Sequence, residues 1–338
     1  MHPGDDIGKT DEQTRAFQAL MPDAILDAIE AQGFVCDGRL LALNSYENRV
    51  YQVGLDEADP IIAKFYRPLR WRDEAIEEEH AFSQELADAE LPVVAPMRSE
   101  HGSTLFRHEL YRFALYPRRG GRAPELDSAE HLEIIGRFLG QMHLIGETKS
   151  FSHRPVLDLA QRIRESANYL INHNQLPAEL QTPYSSLITD IEKRITIALD
   201  GLDDVNTLRI HGDFHPGNLL WRDDTLNIVD LDDCCTGPAV QDLWMFLSGD
   251  RTYQTARLGD LLFGYTEFRE FDPRELRLIE PLRTLRIVYY AAWLARRADD
   301  PAFQHAFPWF GSARYWDEHI LALREQAAAL QEPPLVWD

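Results

Sequence analysis

Strand-favouring residues crowd into the first third of the chain, and this asymmetry limits the fold more than any other feature. Phe34 to Leu43, Arg49 to Leu55 and Ile61 to Tyr66 are rich in β-branched and aromatic residues. They are broken by Asp37-Gly38, Asn44-Ser45 and Asp56 to Pro60, residue types that turn a chain back on itself. The pattern predicts successive antiparallel strands, then an acidic helix from Asp73 to Ala89. Two more strands are predicted at Val93–Met97 and Leu110–Tyr116, with His101-Gly102 turning between them. A helix over 15–33 precedes all of these, with Phe17, Leu20, Met21, Ile25 and Leu26 at helical spacing and Gly33 as its stop. Residues 1 to about 14 are polar and read as a frayed end.

Periodicity stops at Pro117-Arg-Arg-Gly-Gly-Arg-Ala-Pro124. Beyond it the spacing predicts helices at 128–145, 157–175, 184–200, 239–249, 252–268, 274–298 and 313–330, interrupted by one non-helical island from Leu208 to Pro238. The expected fold is α+β, with a small N-terminal antiparallel sheet carrying a helix and a larger, mainly helical C-terminal part. The expected divisions are 1–33, an N-terminal extension; 34–117, the small lobe; and 118–338, the large lobe.

Charge narrows the function. Lys and Arg number 34 against 56 Asp and Glu, a formal net charge of -22 with a pI near 4.9. A surface that tracks a nucleic-acid backbone must neutralise phosphates, so this balance argues against general nucleic-acid binding while leaving room for a local basic patch. The longest apolar run, Ile287 to Ala295, is far shorter than the roughly 20 residues of a membrane helix. Cys36 stands alone and Cys234 and Cys235 are adjacent, which makes neither a disulfide framework nor a metal knuckle. With no apolar N-terminal segment, these features predict a cytoplasmic protein with no membrane or nucleic-acid partner.

The island carries the chemistry. His211-Gly-Asp-Phe-His-Pro-Gly-Asn-Leu-Leu-Trp221 is followed by Leu226-Asn-Ile-Val-Asp-Leu-Asp-Asp233. Leu219–Trp221 and Asn227–Val229 read as a hairpin about Asp223-Asp224. Such a hairpin brings Asn218 and Asp230 together beside Asp213. Two carboxylates and an amide oxygen are hard ligands, suited to Mg2+ rather than zinc. The ordinary reading of a lone cluster of this kind is turn capping, but the length and order of these residues go well beyond a cap.

This stretch resembles the catalytic loop and metal-binding segment of the aminoglycoside phosphotransferase and choline kinase group, whose members share the protein-kinase-like fold. Leu43-Asn-Ser-Tyr-Glu-Asn-Arg-Val-Tyr-Gln52, Lys64-Phe-Tyr-Arg-Pro68, Gly237-Pro-Ala-Val-Gln-Asp-Leu-Trp244 and Gln331-Glu-Pro-Pro-Leu335 narrow the resemblance to the bacterial stress response kinase A family, over residues 15 to 335. The resemblance implies a cytoplasmic, monomeric, ATP-dependent serine/threonine kinase active in stress survival, with protein substrates that include itself. It implies that Asp213 orients the acceptor hydroxyl and takes its proton, and that Asn218 and Asp230 hold Mg2+ against the phosphates. His211, His215 and Asp242 are expected to brace the loop.

Lys64 is conspicuous without the family. It is one of four lysines in the chain and interrupts the apolar strand Ile61-Ile-Ala-Lys-Phe-Tyr. On a helical projection of the acidic helix, Glu79 falls between Leu86 and Ser83 on the apolar seam, where Glu77 and Glu78 do not. A carboxylate there needs a partner. Glu79 is therefore assigned to Lys64, with Glu78 as the alternative; in kinases such a pair holds ATP phosphates. The loop before the second strand contains no glycine, so Asn44, Ser45 and Asn48 are expected to support its turn and to meet phosphate, and the resemblance implies that the backbone of Tyr116 meets adenine. Two further readings share these residues. A small-molecule kinase would use the same apparatus on a metabolite hydroxyl, and a non-catalytic nucleotide-binding scaffold would need none of the proton transfer. A metallohydrolase built on His211, Asp213 and His215 with Asp230 fits poorly with the turn at Pro216-Gly217 and leaves the Asn218/Asp230 pairing unexplained.

Overall fold

A computed structural model describes residues 14–45, 47–173, 175–202, 204–298 and 301–337. Residues 1–13 of the end expected to fray, and Tyr46 of the glycine-free loop, lie outside the described residues. In chain order the elements are α1 (Pro22–Glu30), β1 (Cys36–Ala42), β2 (Arg49–Leu55), β3 (Ala58–Phe65), α2 (Asp73–Asp88), β4 (Phe106–His108) and β5 (Tyr111–Pro117). There follow α3 (Ala129–Gly146), α4 (Leu159–Asn172), α5 (Ala178–Leu199), β6 (Leu208–Ile210), β7 (Leu219–Arg222), β8 (Thr225–Ile228) and β9 (Cys235–Gly237). The chain continues through α6 (Arg251–Tyr265), α7 (Ile279–Ala295), α8 (Pro301–Ala306) and α9 (Ala313–Ala329). No helix among the described residues is long and apolar enough to cross a membrane.

These elements form two compact units. The first holds the residues up to Glu125 together with Phe151–Arg154 and His215–Cys234, and the second holds Leu126–Ser150, Pro155–Phe214 and Cys235 onward. The island is thereby shared out. Its central hairpin, β7 with β8, belongs to the first unit, and its flanking pair, β6 with β9, to the second.

The first unit is built on a five-stranded antiparallel sheet in the order β1-β2-β3-β5-β4. Strand β3 is central, and its alternation sorts its side chains to opposite faces. Ala63 and Phe65 pack with Val53, Phe113 and Leu115 against Ile25 and Ile29 of α1. Lys64 lies opposite Val50 and Ala114 in the register and takes the other face. There Ala114 and Tyr66 cluster with Ile76 of α2. In β7–β8 the register pairs Leu219 with Ile228 and Arg222 with Thr225. Asp223 and Asp224 close the turn at φ 50° and 59°, the left-handed pair that a tight hairpin turn needs and that Asp tolerates.

The second unit is mainly helical. Its central contact, α3 on α6, is a close backbone approach. A Cβ on Gly136 would lie 2.0 Å from the Leu261 carbonyl oxygen, and one on Gly264 would lie 2.0 Å from that of Glu133. Only glycine permits helices this close.

Several boundaries differ from the pattern. The expected helix over 15–33 is broken before α1, because Pro22 pushes Met21 into extended geometry. No strand forms at Val93–Met97. Pro92 and Pro96 remove ladder donors, leaving an isolated bridge between Val93 and Ile228. The segment expected as a helix at 239–249 is two 3-10 turns, Ala239–Asp242 and Trp244–Phe246. Its polar groups are committed to neighbours: the Val240 N–H donates to Glu275 Oε2 at 2.8 Å, and the Asp242 carboxylate serves another loop. The helix expected over 274–298 starts as a 3-10 turn, Pro273–Leu278, before α7 begins.

Candidate active site

In the first unit, α2 turns Ala75, Ile76, Glu79, His80, Phe82, Ser83 and Leu86 inward. Glu79 is thus delivered to the face of the sheet that carries Lys64. The Lys64 Nζ lies 3.6 Å from Glu79 Oε1, 3.0 Å from Asp230 Oδ1 and 3.2 Å from Asp232 Oδ1. Glu78, the alternative, serves elsewhere: its carboxylate accepts the backbone N–H groups of Ser152, His153 and Arg154 at 2.6, 2.7 and 2.9 Å.

Three carboxylates around one buried lysine set the electrostatics. Burial opposes the Lys64 charge, but Asp230, Asp232 and Glu79 outweigh it and hold the ammonium well above its ordinary range. Burial pushes the Glu79 carboxyl up to about 7 against the pull of Lys64. Asp232 is equally buried, yet Lys64, Arg70 and Arg154 bring it down to about 2. Burial, reinforced by the Lys64 charge, lowers His80 to about 3. Its ring bridges the Tyr66 hydroxyl at 2.7 Å and the Thr104 hydroxyl at 2.8 Å.

The segment after β8 reaches Lys64 through a left-handed residue, Asp230, at φ 64°. The hairpin places Asn218 and Asp230 at the open ends of its two strands, and the Val229 N–H donates to the Asn218 carbonyl at 3.0 Å. The Asp230 side chain is half exposed. This carboxylate and the Asn218 amide are hard oxygen donors that fit Mg2+ retaining water and phosphate ligands. No group of three or more His, Cys, Asp or Glu side chains suited to a metal is present among the described residues.

Further anchors close around Asp232. Arg70 donates to both Asp232 and Asp233. Asn48 Nδ2 donates to Asp232 Oδ2 at 3.1 Å, while Asn48 Oδ1 accepts the Arg67 N–H at 3.1 Å. Arg154 donates to the carbonyls of Asp232 and Cys234 at 2.5 and 2.8 Å and packs over the Trp71 ring. Among the described residues of the glycine-free loop, Asn48 bonds Asp232 directly and the Glu47 carboxylate lies 3.8 Å from Arg70 Nε. Asn44 is exposed and Ser45 half-buried. Tyr116 of β5 pairs with Ile62 in the register, and its hydroxyl meets that of Tyr66 at 3.2 Å. Within the first unit, His215 shapes the turn over Pro216–Asn218, its Nδ1 accepting the Gly217 N–H at 3.0 Å.

In the second unit, Asp213 follows β6 and Gly212, whose φ of 84° suits glycine. The loop is pinned by Asp242. This wholly buried carboxylate accepts the His211 N–H at 2.7 Å and the Gly212 N–H at 2.8 Å, and meets His143 Nε2 at 3.2 Å. His143 Nδ1 meets the Tyr265 hydroxyl at 3.0 Å, which in turn accepts from Arg269 at 2.9 Å. Buried His211 turns its Nδ1 toward the Asp213 N–H at 3.4 Å and packs edge-on to Phe214. Arg286 of α7 donates from Nη1 to Asp213 Oδ1 at 2.9 Å.

Sequence reasoning missed Arg70, Arg154 and Arg286, and it gave Asn48 a turn and phosphate role where the structure shows its bond to Asp232. Arg70 sits two residues beyond the Lys64–Pro68 motif, so proximity to that motif was a usable signal. Arg154 and Arg286 had none, being two among thirty arginines.

Comparison with known proteins agrees with this geometry. Residues 39–279 match the phosphotransferase enzyme family. Stress response kinase A of Escherichia coli is 44% identical over 319 residues, covering 94% of this chain and 96% of that protein. The serine/threonine protein kinase RdoA of Salmonella typhimurium is 43% identical over the same coverage. In fold, an amicoumacin kinase solved with AMP-PNP and Ca2+ superposes with a TM-score of 0.67 at 17% identity, over 91% of this chain and 93% of that one. A spectinomycin phosphotransferase in complex with ADP gives 0.60 at 17% identity, over 87% and 92%. The chain belongs to the phosphotransferase enzyme family and, within it, to the stress response kinase A family of ATP-dependent kinases.

Proposed function

We propose that this protein is a serine/threonine protein kinase that transfers the γ-phosphoryl group of ATP to protein hydroxyls, its own among them, in a bacterial stress response. The observation that carries the reading is the Lys64 cluster: a strand lysine paired to a helix glutamate and within 3.0 Å of Asp230. Phosphoryl transfer asks little covalent chemistry of a protein and much positioning and charge neutralisation. Lys64, fixed by Glu79, is poised to meet nucleotide phosphates. Asn218 and Asp230 would hold Mg2+, which when bound neutralises charge on the phosphate oxygens. Asp213 orients the acceptor hydroxyl and receives its proton. Asn44, Ser45 and Tyr116 complete the nucleotide contacts, and His211, His215 and Asp242 keep the loops in place. In this assignment residues 34–117 bind nucleotide and 118–338 supply catalysis and acceptor binding, and the protein works as a cytoplasmic monomer.

The test is incubation with radiolabelled ATP and Mg2+ beside a cell lysate and a metabolite panel, followed by phosphoamino-acid analysis. Label on seryl and threonyl residues is expected. Stoichiometric transfer to one small hydroxyl compound, with no protein label, would replace this reading with a small-molecule kinase.

A further inference from the structure

Arg286 is not needed to hold the second unit together. Its side chain is 52% exposed and that of Asp213 32%, and ion pairs this open contribute only about 0–1 kcal/mol. The guanidinium nevertheless sits on the carboxylate assigned to the acceptor hydroxyl. Among the described residues, one nitrogen, Nη1, makes both of its polar contacts, at 2.9 Å to Asp213 Oδ1 and 3.2 Å to the Met245 sulfur. An arginine offers five N–H donors in a planar fork, and the edge formed by Nε and Nη2 matches a carboxylate in two parallel bonds.

We propose that Arg286 selects the acceptor, favouring seryl or threonyl hydroxyls that stand beside a carboxylate side chain. The proposal rests on the protein-kinase reading above and names its substrate class. In a chain of net charge -22, an acidic acceptor is repelled at long range unless a local cation receives it. Arg286 supplies that cation at the reacting hydroxyl. The acceptor's carboxylate takes the outer edge of the fork while Asp213 keeps Nη1. A lysine or arginine at the same place meets like charge.

The same face of α7 continues away from Asp213. Arg286, Tyr289, Tyr290 and Trp293 fall within an arc of about 100° at helical spacing. Tyr289 and Tyr290 are 40% and 45% exposed, and the Tyr290 and Trp293 rings are stacked, 5.8 Å apart with an 11° interplanar angle. From Arg286 to Trp293 the helix rises about 10 Å, the span of about three extended residues. An aromatic stripe of that length suits a polypeptide with its acidic residue at the Arg286 end.

The experiment uses the full chain with Mg2+ and ATP on three seryl peptides that differ only in carrying Glu, Gln or Lys next to the serine. The wild type should favour the Glu peptide over the Lys peptide about tenfold or more in kcat/KM, the discrimination of one charge-assisted contact. Arg286→Gln should bring the ratio near one, Arg286→Lys should keep part of it, and Arg286→Glu should invert it. Thermal melts accompany each variant, and ratios within a variant cancel any general loss of rate. A wild-type ratio near one, or an acidic preference that survives in both Arg286→Gln and Arg286→Glu, overturns the proposal and leaves the kinase reading standing. Absence of any seryl or threonyl label, on peptides or lysate protein, overturns the kinase reading and this proposal with it.

Discussion

Asp242→Asn isolates the brace from the chemistry, because the side chain keeps its shape and loses only one acceptor and its charge. In the wild type, Oδ2 accepts the His211 N–H at 2.7 Å and faces His143 Nε2 at 3.2 Å, while Oδ1 accepts the Gly212 N–H at 2.8 Å. An amide has a single acceptor oxygen, so whichever way it is turned, its NH2 faces a backbone donor. One buried N–H is left without an acceptor, which costs about 1–3 kcal/mol, and the bonds that remain lose their charge assistance, worth about 1 kcal/mol more. The relieved cost of burying a charge offsets part of this, so the expected destabilisation is about 2–3 kcal/mol. Asp213 follows directly on Gly212, and misplacing a reacting group by about 1 Å can cost a hundredfold in rate. A fall in kcat of about ten- to a hundredfold is therefore expected. The KM for ATP should hold, because Lys64, Glu79, Asn218 and Asp230 belong to the first unit and take nothing from Asp242. Hydrogen exchange over residues 208–214 reads the loosened amides directly, and steady-state kinetics separate kcat from KM. Wild-type exchange at His211 and Gly212 with an unchanged kcat would refute the reasoning, as would a lost ATP affinity with kcat intact.

Three other outcomes follow from the same geometry. Lys64→Ala should abolish turnover and destabilise the fold by about 3 kcal/mol, because Glu79 and Asp232 lose a buried partner; adding Glu79→Gln should recover stability in a thermal melt but no activity, and recovered activity would remove Lys64 from the site. Asp213→Asn should retain nucleotide binding and lose the chemical step, whereas Asp230→Asn should lose Mg2+-dependent nucleotide affinity as well; calorimetry with and without Mg2+, paired with single-turnover kinetics, would expose a reversed assignment. Burial raises Glu275 from 4.5 to about 7, so the fold favours its neutral form. The associated stability is present below pH 4.5 and is lost as pH rises through 7, up to about 3 kcal/mol. Glu275→Gln should flatten this difference in denaturation curves taken across that window, and an unchanged slope would show that Glu275 is not its source.

Periodicity alone determined the parts whose partners are dictated by a face. A lone lysine interrupting an apolar strand marked Lys64, and the helical seam singled out Glu79 from its two neighbours, so that pair was legible in the sequence. The β7–β8 hairpin was equally legible, because apolar runs about Asp223-Asp224 leave few other ways to turn. Proline overrides an otherwise good pattern at Pro22 and between Pro92 and Pro96, where the helix and the strand that the spacing predicts are interrupted. What only the tertiary structure decided is which charges meet across long separations. Asp232 reads as solvent-facing or bracing with equal ease in the sequence, yet in the fold it is buried among Lys64, Arg70 and Asn48. Arg286 lies 73 residues from Asp213, and nothing in its neighbourhood sets it apart from the other arginines. The physical reason is that burial against a face repeats along the chain with the period of its element, whereas an ion pair between distant segments has no period and exists only once packing has fixed where the two backbones run.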